Sequence, residues 1–430
     1  MKNVLFIAYY FPPLGMSGIQ RTLKFVKYLP EFDWHPLILT IRQTVYYAKD
    51  FSLFKEIPNS AEVYRTFSLE PLSLWSYLKS FLGGQKGLSV QSFATTRQRF
   101  KVFNDWLFIP DNKTGWLPFA FWSGLKLIKK GEIDVIYSTA PPYTSHLIGY
   151  LLKKCSGKPL VLDFRDLWTQ RPLLSYPTLF HQRANEFLER KILQEADQII
   201  TISELWKRNW ILKYSFLPEQ KFTVISHGFD SEDFIGVIPH RTEVFTVTHA
   251  GALIEITAKY FFLALKSLLE EYPEFKNKMA VKFIGVAKRE EQEIVREFGL
   301  ENTVRFIPYL PHQQCLQAEA DSDVLLLLTM EEEEMRIRGK LYEYLGTGKS
   351  ILAITPEGET ANLIKELKVG KVVSPKDISG IKEAILSYYH QYANGFLPTF
   401  KPAIKRFDRK NLTLHLAEVF NEVSGETSLN

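Results

Sequence analysis

The sequence predicts an α/β protein made of two doubly wound, parallel-sheet domains in tandem. Its 430 residues are 46% hydrophobic and 23% charged, which is an ordinary globular balance. Short apolar strands alternate with amphipathic helices, as in sheets built from βαβ units. The alternation stops over 227–243, which is rich in glycine, proline and charge, and then restarts. The simplest arrangement is two Rossmann-like domains facing a cleft, with ligands bound beyond the carboxyl ends of the strands.

Six strands are predicted in the first half, because short runs of apolar and β-branched residues recur there. The first run, VLFIAYY, is apolar throughout and reads as a buried strand. A helix is expected over 17–30, where Leu23, Val26 and Leu29 give it an apolar side. The predicted strands of this half cover 4–10, 36–40, 134–139, 159–164, 198–203 and 222–226.

The second half repeats the alternation and predicts a second parallel sheet. Its strands are expected at 245–251, 281–285, 304–308, 323–329, 350–355 and 371–373. Helices are expected over 258–270, 288–298, 312–320, 338–346 and 359–367. Two closing helices follow over 376–395 and 403–424. We therefore expect one domain over 1–235 and another over 240–400.

Several classes of protein are disfavoured by what the sequence contains. No apolar run reaches the roughly 18 residues that a membrane span needs, and the first residues do not look like a signal peptide. Cys155 and Cys315 are far apart, which argues against a disulfide framework or a zinc cluster and fits the reducing cytosol. The nine histidines form no metal-binding pattern, so no metal or other cofactor is predicted.

Basic residues concentrate between 71 and 130, where nine lysines and arginines stand against two aspartates. The excess of seven there exceeds the net charge of +5 for the whole chain. Tryptophans and phenylalanines are interleaved with these charges, as in proteins that lie on an anionic membrane. A solvated insertion whose aromatic residues fill a core is an equally good interpretation. Nucleic acid is not predicted as a partner, because no nucleic-acid-binding signature accompanies the charge.

The loop after the first strand contains Gly15 and Gly18, between a strand and a helix. Glycines there let backbone N–H groups approach an anion, and Arg21 could add a positive charge. An ordinary turn is an equal alternative. GTGKS at 346–350 is not a phosphate-binding P-loop, because a helix precedes it and a strand follows, which is the reverse of the P-loop order.

Lys340 and Glu343 are three residues apart, on one face of a predicted helix near its amino end. A lysine in that position can meet a diphosphate, and a carboxylate can accept two hydrogen bonds from a ribose diol. The alternative is an exposed salt pair that contributes a few tenths of a kcal/mol.

The segment DFRDLW places Asp163, Arg165 and Asp166 at the carboxyl end of a predicted strand. Three charges in that position suggest a functional site. A structural ion pair that caps the next helix is the competing interpretation.

Seven segments occur in a characteristic order: YYFPPLGMSGIQRTLKF, IPDNKTGW, DVIYSTAPPYTSHLIG, VLDFRDLW, VISHGFDSEDF, FTVTHAGAL and GKLYEYLGTGKSILAI. Together they resemble GT-B fold glycosyltransferases of family 4, particularly those that build bacterial surface polysaccharides. The resemblance covers nearly the full chain, although 41–105 match little. It implies transfer of a sugar from a UDP- or GDP-linked donor to a glycan or lipid-linked acceptor, with retention of anomeric configuration.

The resemblance also implies which domain binds each substrate. The amino-terminal domain would bind the acceptor, the carboxyl-terminal domain the donor, and the final helix would pack back on the first domain. Glu343 would hold the ribose, and Lys340 and Lys259 would neutralise the diphosphate. The implied donor-binding residues are Gly15, Gly18, Arg21, Gly251, Lys259, Gly285, Pro308, Tyr309, Lys340, Leu341 and Glu343. The acceptor-side residues are Ser138, Thr139, Asp163 and Arg165.

The expected chemistry is stabilisation of the departing nucleoside diphosphate by fixed positive charge, with Lys340 as the main catalytic residue. We expect front-side substitution, in which the leaving phosphate helps to deprotonate the acceptor. Asp166 is the side-chain alternative for that role. The enzyme would work in the cytoplasm, at the inner face of the membrane if 71–130 binds lipid.

Two features depart from the family pattern. Met335 stands where the first acid of the family's Glu-x7-Glu motif belongs, and Lys259 alone represents a usual pair of basic residues. Two other functions therefore stay open at this point. One is a nucleotide-sugar epimerase or hydrolase on the same scaffold, and the other is a partner protein that has lost activity.

Overall fold

The computed structural model describes residues 1–15, 17–42, 49–69, 106–170, 174–241, 243–253, 256–331, 334–335, 337–400 and 405–425. The chain divides into two compact units. The first comprises Met1–His227 together with Arg409–Asn430, and the second comprises Gly228–Asp408. Much of the basic and aromatic stretch predicted at 71–130 lies outside the described residues, which resume at Trp106.

The described part of the first unit contains a seven-stranded parallel sheet with the order β3-β2-β1-β4-β5-β6-β7. Its strands are β1 (Lys2–Ile7), β2 (Trp34–Ile41), β3 (Glu62–Thr66), β4 (Val135–Ala140), β5 (Leu160–Phe164), β6 (Gln198–Thr201) and β7 (Phe222–Val224). Its helices are α1 (Ser17–Tyr28), α2 (Leu117–Lys129), α3 (Thr144–Ser156), α4 (Leu179–Glu195) and α5 (Glu204–Lys213). The sequence did not predict β3, because this edge strand is only partly buried and carries polar residues.

The described part of the second unit contains a six-stranded parallel sheet with the order β10-β9-β8-β11-β12-β13. Its strands are β8 (Phe245–Ala250), β9 (Met279–Ile284), β10 (Val304–Ile307), β11 (Val324–Leu328), β12 (Ser350–Ile354) and β13 (Gly370–Val373). Its helices are α6 (Lys259–Glu271), α7 (Arg289–Glu297), α8 (His312–Ala320), α9 (Gly339–Thr347), α10 (Glu359–Leu367) and α11 (Ile378–Ala393).

The sheet of the second unit is buried on both faces, as a doubly wound fold requires. Along β11, Leu326 and Leu328 belong to the core cluster that includes α6 and α11. Leu325 and Leu327 alternate with them and belong to the cluster that includes α9 and α10. Successive side chains of a strand point to opposite faces, so a continuous leucine run fills both cores. The predicted α/β class is confirmed.

The last described helix, α12 (Arg409–Val423), packs on the sheet of the first unit. The ring of Phe420 lies 5.2 Å from that of Trp34 and 6.3 Å from that of Phe6. Leu412 and Leu416 recur on the same helical face and are buried in the same core. The chain therefore returns to its first unit after completing the second.

The segment GTGKS has the order that the sequence predicted. Helix α9 ends at Thr347, and Gly348 adopts the left-handed conformation that commonly follows a helix. Strand β12 begins two residues later.

A separate finding concerns membrane insertion: among the described residues, every helix is too short or too polar to cross a bilayer.

Candidate active site

One side of helix α9 is buried, and this sets the direction in which the polar side chains of its other side point. Leu341, Tyr342 and Leu345 are buried in a core cluster of the second unit. Lys340 and Glu343 emerge on the opposite side of the helix, one turn apart. Because the side chain of Leu341 is fully buried, any contact between this residue and a donor would come from its backbone.

Lys340 connects two carboxylates. Its Nζ lies 2.8 Å from Oε1 of Glu319, on α8, and it forms a second ion pair with Glu343. Glu319 is wholly buried, whereas Lys340 is 21% exposed and Glu343 is 13% exposed. The structure therefore brings Lys340 and Glu343 together, as a largely buried ion pair that also includes Glu319.

A histidine and an aspartate lie beside this group. Nε2 of His312, the first residue of α8, is 3.1 Å from Oδ2 of Asp233, and both side chains are almost buried. Burial disfavours a charged imidazole, but the hydrogen bond to Asp233 and the carboxylate of Glu343 raise the pKa of His312 overall. We call these five residues (Asp233, His312, Glu319, Lys340 and Glu343) the α8–α9 charge cluster.

The electrostatics of the charge cluster keep Lys340 and Glu343 ionised. Burial alone would lower the pKa of Lys340, but Cys315, Glu319 and Glu343 raise it well above its ordinary value. Burial opposes charge on Glu343 as well, yet Lys340 and His312 lower its pKa. Glu319 differs from these two, because burial raises its pKa despite the nearby ammonium group.

The charge cluster can recognise an anion and a diol side by side. A lysine offers three N–H donors to phosphate oxygens, and a carboxylate can accept two hydrogen bonds from neighbouring hydroxyl groups. One oxygen of Glu319, Oε2, is buried and has no hydrogen-bond partner among the described residues. A buried ion pair of this kind is weak evidence for stability, because desolvation offsets its attraction.

Sequence reasoning did not identify Glu319, His312 or Asp233. A local signal exists for two of them, because His312 and Glu319 are seven residues apart and face the same side of α8. No local pattern connects them with Asp233, which is in a separate 3₁₀ turn over Ser231–Phe234.

The predicted glycines Gly251 and Gly285 follow β8 and β9, which are neighbours in the sheet. Gly285 has φ of 128°, and a Cβ atom there would lie 2.5 Å from the carbonyl oxygen of Gly251. Only glycine fits this close approach of two backbones. Gly285 is therefore needed at the carboxyl edge of the sheet, where ligands of such folds bind.

The other predicted donor-side residues of the second unit lie near the same edge. Pro308 and Tyr309 follow β10 directly, and Lys259 is the exposed first residue of α6, which follows β8. Met335 precedes α9. The backbone carbonyl of the neighbouring Glu334 accepts a hydrogen bond from the N–H of Glu359.

The first unit contains a buried ion pair between Arg21 and Asp163. Nη2 of Arg21 lies 2.8 Å from Oδ1 of Asp163, and Nε donates to both carboxylate oxygens. Its two terminal nitrogens also donate to the carbonyls of Ser226 and Ile225. Because Arg21 is 1% exposed, its charge is used inside the unit rather than at the surface.

Two predicted residues near the ion pair join the same network. Thr139 Oγ1 donates to Oδ2 of Asp163, at 2.9 Å. The guanidinium of Arg165 donates to the carbonyls of Gly18, Ala140 and Pro141. The structure thus joins α1 to the carboxyl ends of β4 and β5. The ion pair between Arg21 and Asp163 was not predicted from the sequence, and it holds α1 against the sheet.

The remaining predicted residues of this unit lie around that network. Gly15 is buried in the loop before α1, and Gly18 is exposed. Asp166 is half-buried, and its backbone carbonyl accepts a hydrogen bond from the hydroxyl of Tyr143. Ser138 is buried, with its Oγ 2.7 Å from Nδ1 of His146.

We expect the first unit to lose stability in mild acid because of His146. Burial lowers the pKa of this imidazole to about 3, and its Nε2 has no partner among the described residues. The unfolded chain takes up the proton near pH 6.5, so the free energy of unfolding falls as the pH drops from about 6.5 towards 3, by at most about 1.4 kcal/mol per pH unit.

Urea titrations between pH 7 and pH 5 measure this slope. All eight tryptophans lie within residues 1–227, so tryptophan fluorescence follows the first unit alone. In the His146→Leu variant, the slope of the free energy of unfolding against pH should decrease by the contribution of about one proton. An identical slope in the variant would assign the acid sensitivity to another group.

The sequence model of Glycosyltransferase Family 4 matches residues 86–233. A comparison with curated protein sequences gave no match. Solved structures match over nearly the whole chain. One is a sucrose-phosphate synthase from Thermosynechococcus elongatus, with 13% identity, a TM-score of 0.66 and coverage of 99% of this chain and 100% of that one.

Two further solved structures are similar over the same extent. HepE from Anabaena, crystallised with UDP-glucose, has 15% identity and a TM-score of 0.63, covering 98% of this chain and 100% of that one. WaaG, a glycosyltransferase involved in lipopolysaccharide biosynthesis, has 13% identity and a TM-score of 0.60, with the same coverage. The fold is therefore the GT-B fold of glycosyltransferases. Residues 86–233 thus match the model of this family, and the chain as a whole has the fold of the glycosyltransferases named above.

Proposed function

We propose that this enzyme transfers a sugar from a nucleoside diphosphate sugar to a glycan or lipid-linked acceptor, with retention of configuration. The observation that carries the proposal is the Lys340–Glu343 pair at the start of α9, held by the buried carboxylate of Glu319. The proposal draws support from HepE, a protein of the same fold crystallised with UDP-glucose. A role in the biosynthesis of surface polysaccharides is proposed from the structural similarity to WaaG.

The donor is proposed to bind at the carboxyl edge of the second sheet. Glu343 accepts hydrogen bonds from the ribose diol, and Lys340 donates to the diphosphate. Gly251 and Gly285 allow backbone groups to approach the ligand closely. Pro308 and Tyr309 line the nucleobase slot, and Lys259 supplies a second positive charge.

Lys340 is proposed to act mainly as the sugar–phosphate bond breaks. The departing diphosphate gains negative charge, and a fixed ammonium group opposes that charge in a site with little water. Its surroundings favour this role, because two carboxylates keep the ammonium protonated. Front-side substitution then lets the leaving phosphate remove the proton of the attacking hydroxyl.

The acceptor is proposed to bind the first unit, near Ser138, Thr139, Arg165 and Asp166. The enzyme is proposed to work in the cytoplasm and to reach lipid-linked acceptors at the inner face of the membrane. A thermal-shift series with UDP- and GDP-linked sugars tests the donor first, since a ligand at a hundred times its Kd adds about 2.7 kcal/mol to the free energy of unfolding. No shift with any nucleotide sugar would contradict the proposal.

We expect the Glu343→Gln variant to bind the donor more weakly by about 1–3 kcal/mol, which is typical of lost charged hydrogen bonds. The variant keeps its shape, and Lys340 retains its ion pair with Glu319, so the fold should survive. Isothermal calorimetry with UDP or GDP measures the loss.

Glu366→Gln is a suitable control for that measurement, because Glu366 is exposed and pairs with Arg406 at the surface of the same unit. It should leave nucleotide affinity within error of the wild type. Equal affinity in the Glu343 variant would remove this carboxylate from the donor site.

A further inference from the structure

The buried side of helix α4 carries three polar residues along most of its length, with the apolar Ile192 and Leu193 near its end. His181, Asn185 and Glu189 recur at intervals of four residues and are buried. Asn185 accepts a hydrogen bond from Nε1 of Trp168, and Glu189 accepts hydrogen bonds from Tyr214 and pairs with Lys213. This inner side is therefore held by specific polar contacts, which fix the orientation of the helix.

The outer side of α4 presents large apolar side chains to solvent. Phe180 is 70% exposed and Phe187 is 59% exposed, and they lie two turns apart on one face. Leu179 is exposed beside them. A surface helix normally turns such residues inwards, so an exposed apolar face marks a surface that meets another apolar phase.

Two residues from another segment extend this apolar surface. Trp106 and Leu107 are exposed, and the ring of Trp106 lies 5.7 Å from that of His181. The carbonyl of Trp106 also accepts a hydrogen bond from Nε2 of His181, at 3.0 Å. The buried face of α4 thus holds the tryptophan segment against the amino end of the helix.

The exposed charges of α4 are positive. Arg183 and Lys191 are exposed on the same outer face as the phenylalanines, and Arg190 lies over the ring of Phe216. Of its three acidic residues, Glu189 is buried, Glu195 pairs with Lys154, and the half-buried Glu186 accepts a hydrogen bond from Gln182. Exposed aromatic residues interleaved with arginine and lysine are suited to a partner with an apolar interior and a negatively charged surface.

We propose that the outer face of α4, formed by Phe180, Arg183, Phe187 and Lys191 with Trp106 beside them, docks on an anionic lipid bilayer. Phenylalanine and tryptophan side chains enter the boundary between headgroups and acyl chains, while the basic side chains meet lipid phosphates. The inference deepens the proposed membrane location of the enzyme. It assigns the contact to a helix that the sequence analysis had not singled out.

A bilayer fits this face better than a second copy of the chain does. A twofold contact would place the same patch on both partners and oppose its arginine and lysine residues. Those like charges would repel each other, with only the half-buried Glu186 near the outer face of α4 to offset them. An anionic bilayer instead offers the opposite charge at the surface and an apolar phase beneath it.

Vesicle flotation of the full chain tests the proposal. We expect wild-type protein to float with vesicles of phosphatidylcholine and phosphatidylglycerol, and to remain in solution with phosphatidylcholine alone. The Phe180→Asp/Phe187→Asp variant should bind the anionic vesicles at least about tenfold more weakly, since it loses apolar contact and gains two negative charges. Binding should also weaken in 0.5 M salt, where charges are screened.

The matched control is Ile235→Asp/Phe396→Asp, which changes charge equally at two exposed apolar residues of the second unit. It should float like the wild type. Equal loss in both variants, equal flotation of the α4 variant, or equal binding to neutral vesicles would each overturn the proposal. A dimer in light scattering that the α4 variant abolishes would assign the face to a second copy and overturn it too.

Donor binding measured on the same proteins separates this inference from the proposed function. The α4 variant should bind UDP or GDP with wild-type affinity, which shows that it is folded. Flotation without nucleotide binding would uphold the surface and reject the donor site. Nucleotide binding without flotation would reject the surface alone.

Discussion

Replacing Lys340 with alanine is expected to lower turnover by about 10²–10³-fold, the usual effect of removing one group that stabilises developing negative charge. The Michaelis constant should change less, because the charge on the leaving diphosphate grows mainly in the transition state. Steady-state kinetics with a labelled donor measure both constants. A larger effect on the Michaelis constant than on turnover would mean that Lys340 acts in ground-state binding.

The Lys340 variant needs a control for loss of stability. Lys340 is the ammonium partner of the buried Glu319, so its loss leaves a buried carboxylate unpaired, which typically costs about 3–5 kcal/mol of stability. Glu319 can avoid part of that cost by taking up a proton, since burial already raises its pKa.

The double variant Lys340→Met/Glu319→Gln removes both charges of that pair and should recover most of the lost stability. It should not recover turnover, because the cation is still absent. Recovery of turnover along with stability would show that Lys340 serves the fold instead of the reaction. Glu319→Gln alone keeps an acceptor for Lys340 and tests whether the second carboxylate holds the ammonium in place.

The second large effect is expected at the buried ion pair of the first unit. Asp163→Asn should lower the free energy of unfolding by about 3–5 kcal/mol, because it leaves the guanidinium of Arg21 buried without an opposite charge. It also weakens the acceptor that Tyr137 and Thr139 share. Urea unfolding followed by tryptophan fluorescence measures the loss in this unit specifically.

The pH dependence gives an independent check on Asp163. Burial opposes its ionisation, but Arg21 outweighs burial and lowers the pKa of Asp163 below its ordinary value. The ion pair therefore stabilises fully above the unfolded pKa of about 4 and is lost as the pH falls through the folded pKa. The variant should lack this acid-dependent loss.

Arg21→Met/Asp163→Asn is the matched control, since it removes both charges. It should be closer to the wild type in stability than Asp163→Asn alone. Equal destabilisation by the single and double variants would show that the hydrogen bonds of Asp163, and not its charge, hold α1 to the sheet.

The strands were predictable because apolar runs and their spacing are local properties. Every strand predicted in the second unit is present, with ends shifted by a few residues at most. Strand β3 was not predicted, because a half-exposed edge strand lacks a continuous apolar run. The first predicted strand also ends at Ile7, earlier than its apolar run suggests.

The candidate site was predictable only in part. Lys340 and Glu343 are one helical turn apart, so the sequence alone places them on one face. Arg21 and Asp163 are 142 residues apart, and nothing local indicated that each would bury the charge of the other. The roles of these residues in binding and catalysis are still proposals.

The sequence by itself determined the alternation of strands and helices, the two parallel sheets and the helical face that carries Lys340 and Glu343. These features follow from periodicity, which acts over a few residues. Only the tertiary structure decided that Glu319 is the second partner of Lys340, that Arg21 is sealed inside the first unit, and that α4 turns its phenylalanines outwards. These features depend on which residues, distant in sequence, are packed together in the fold. Removing a charge or a hydrogen-bonding group from water is costly, so such a group is buried only where it meets a partner.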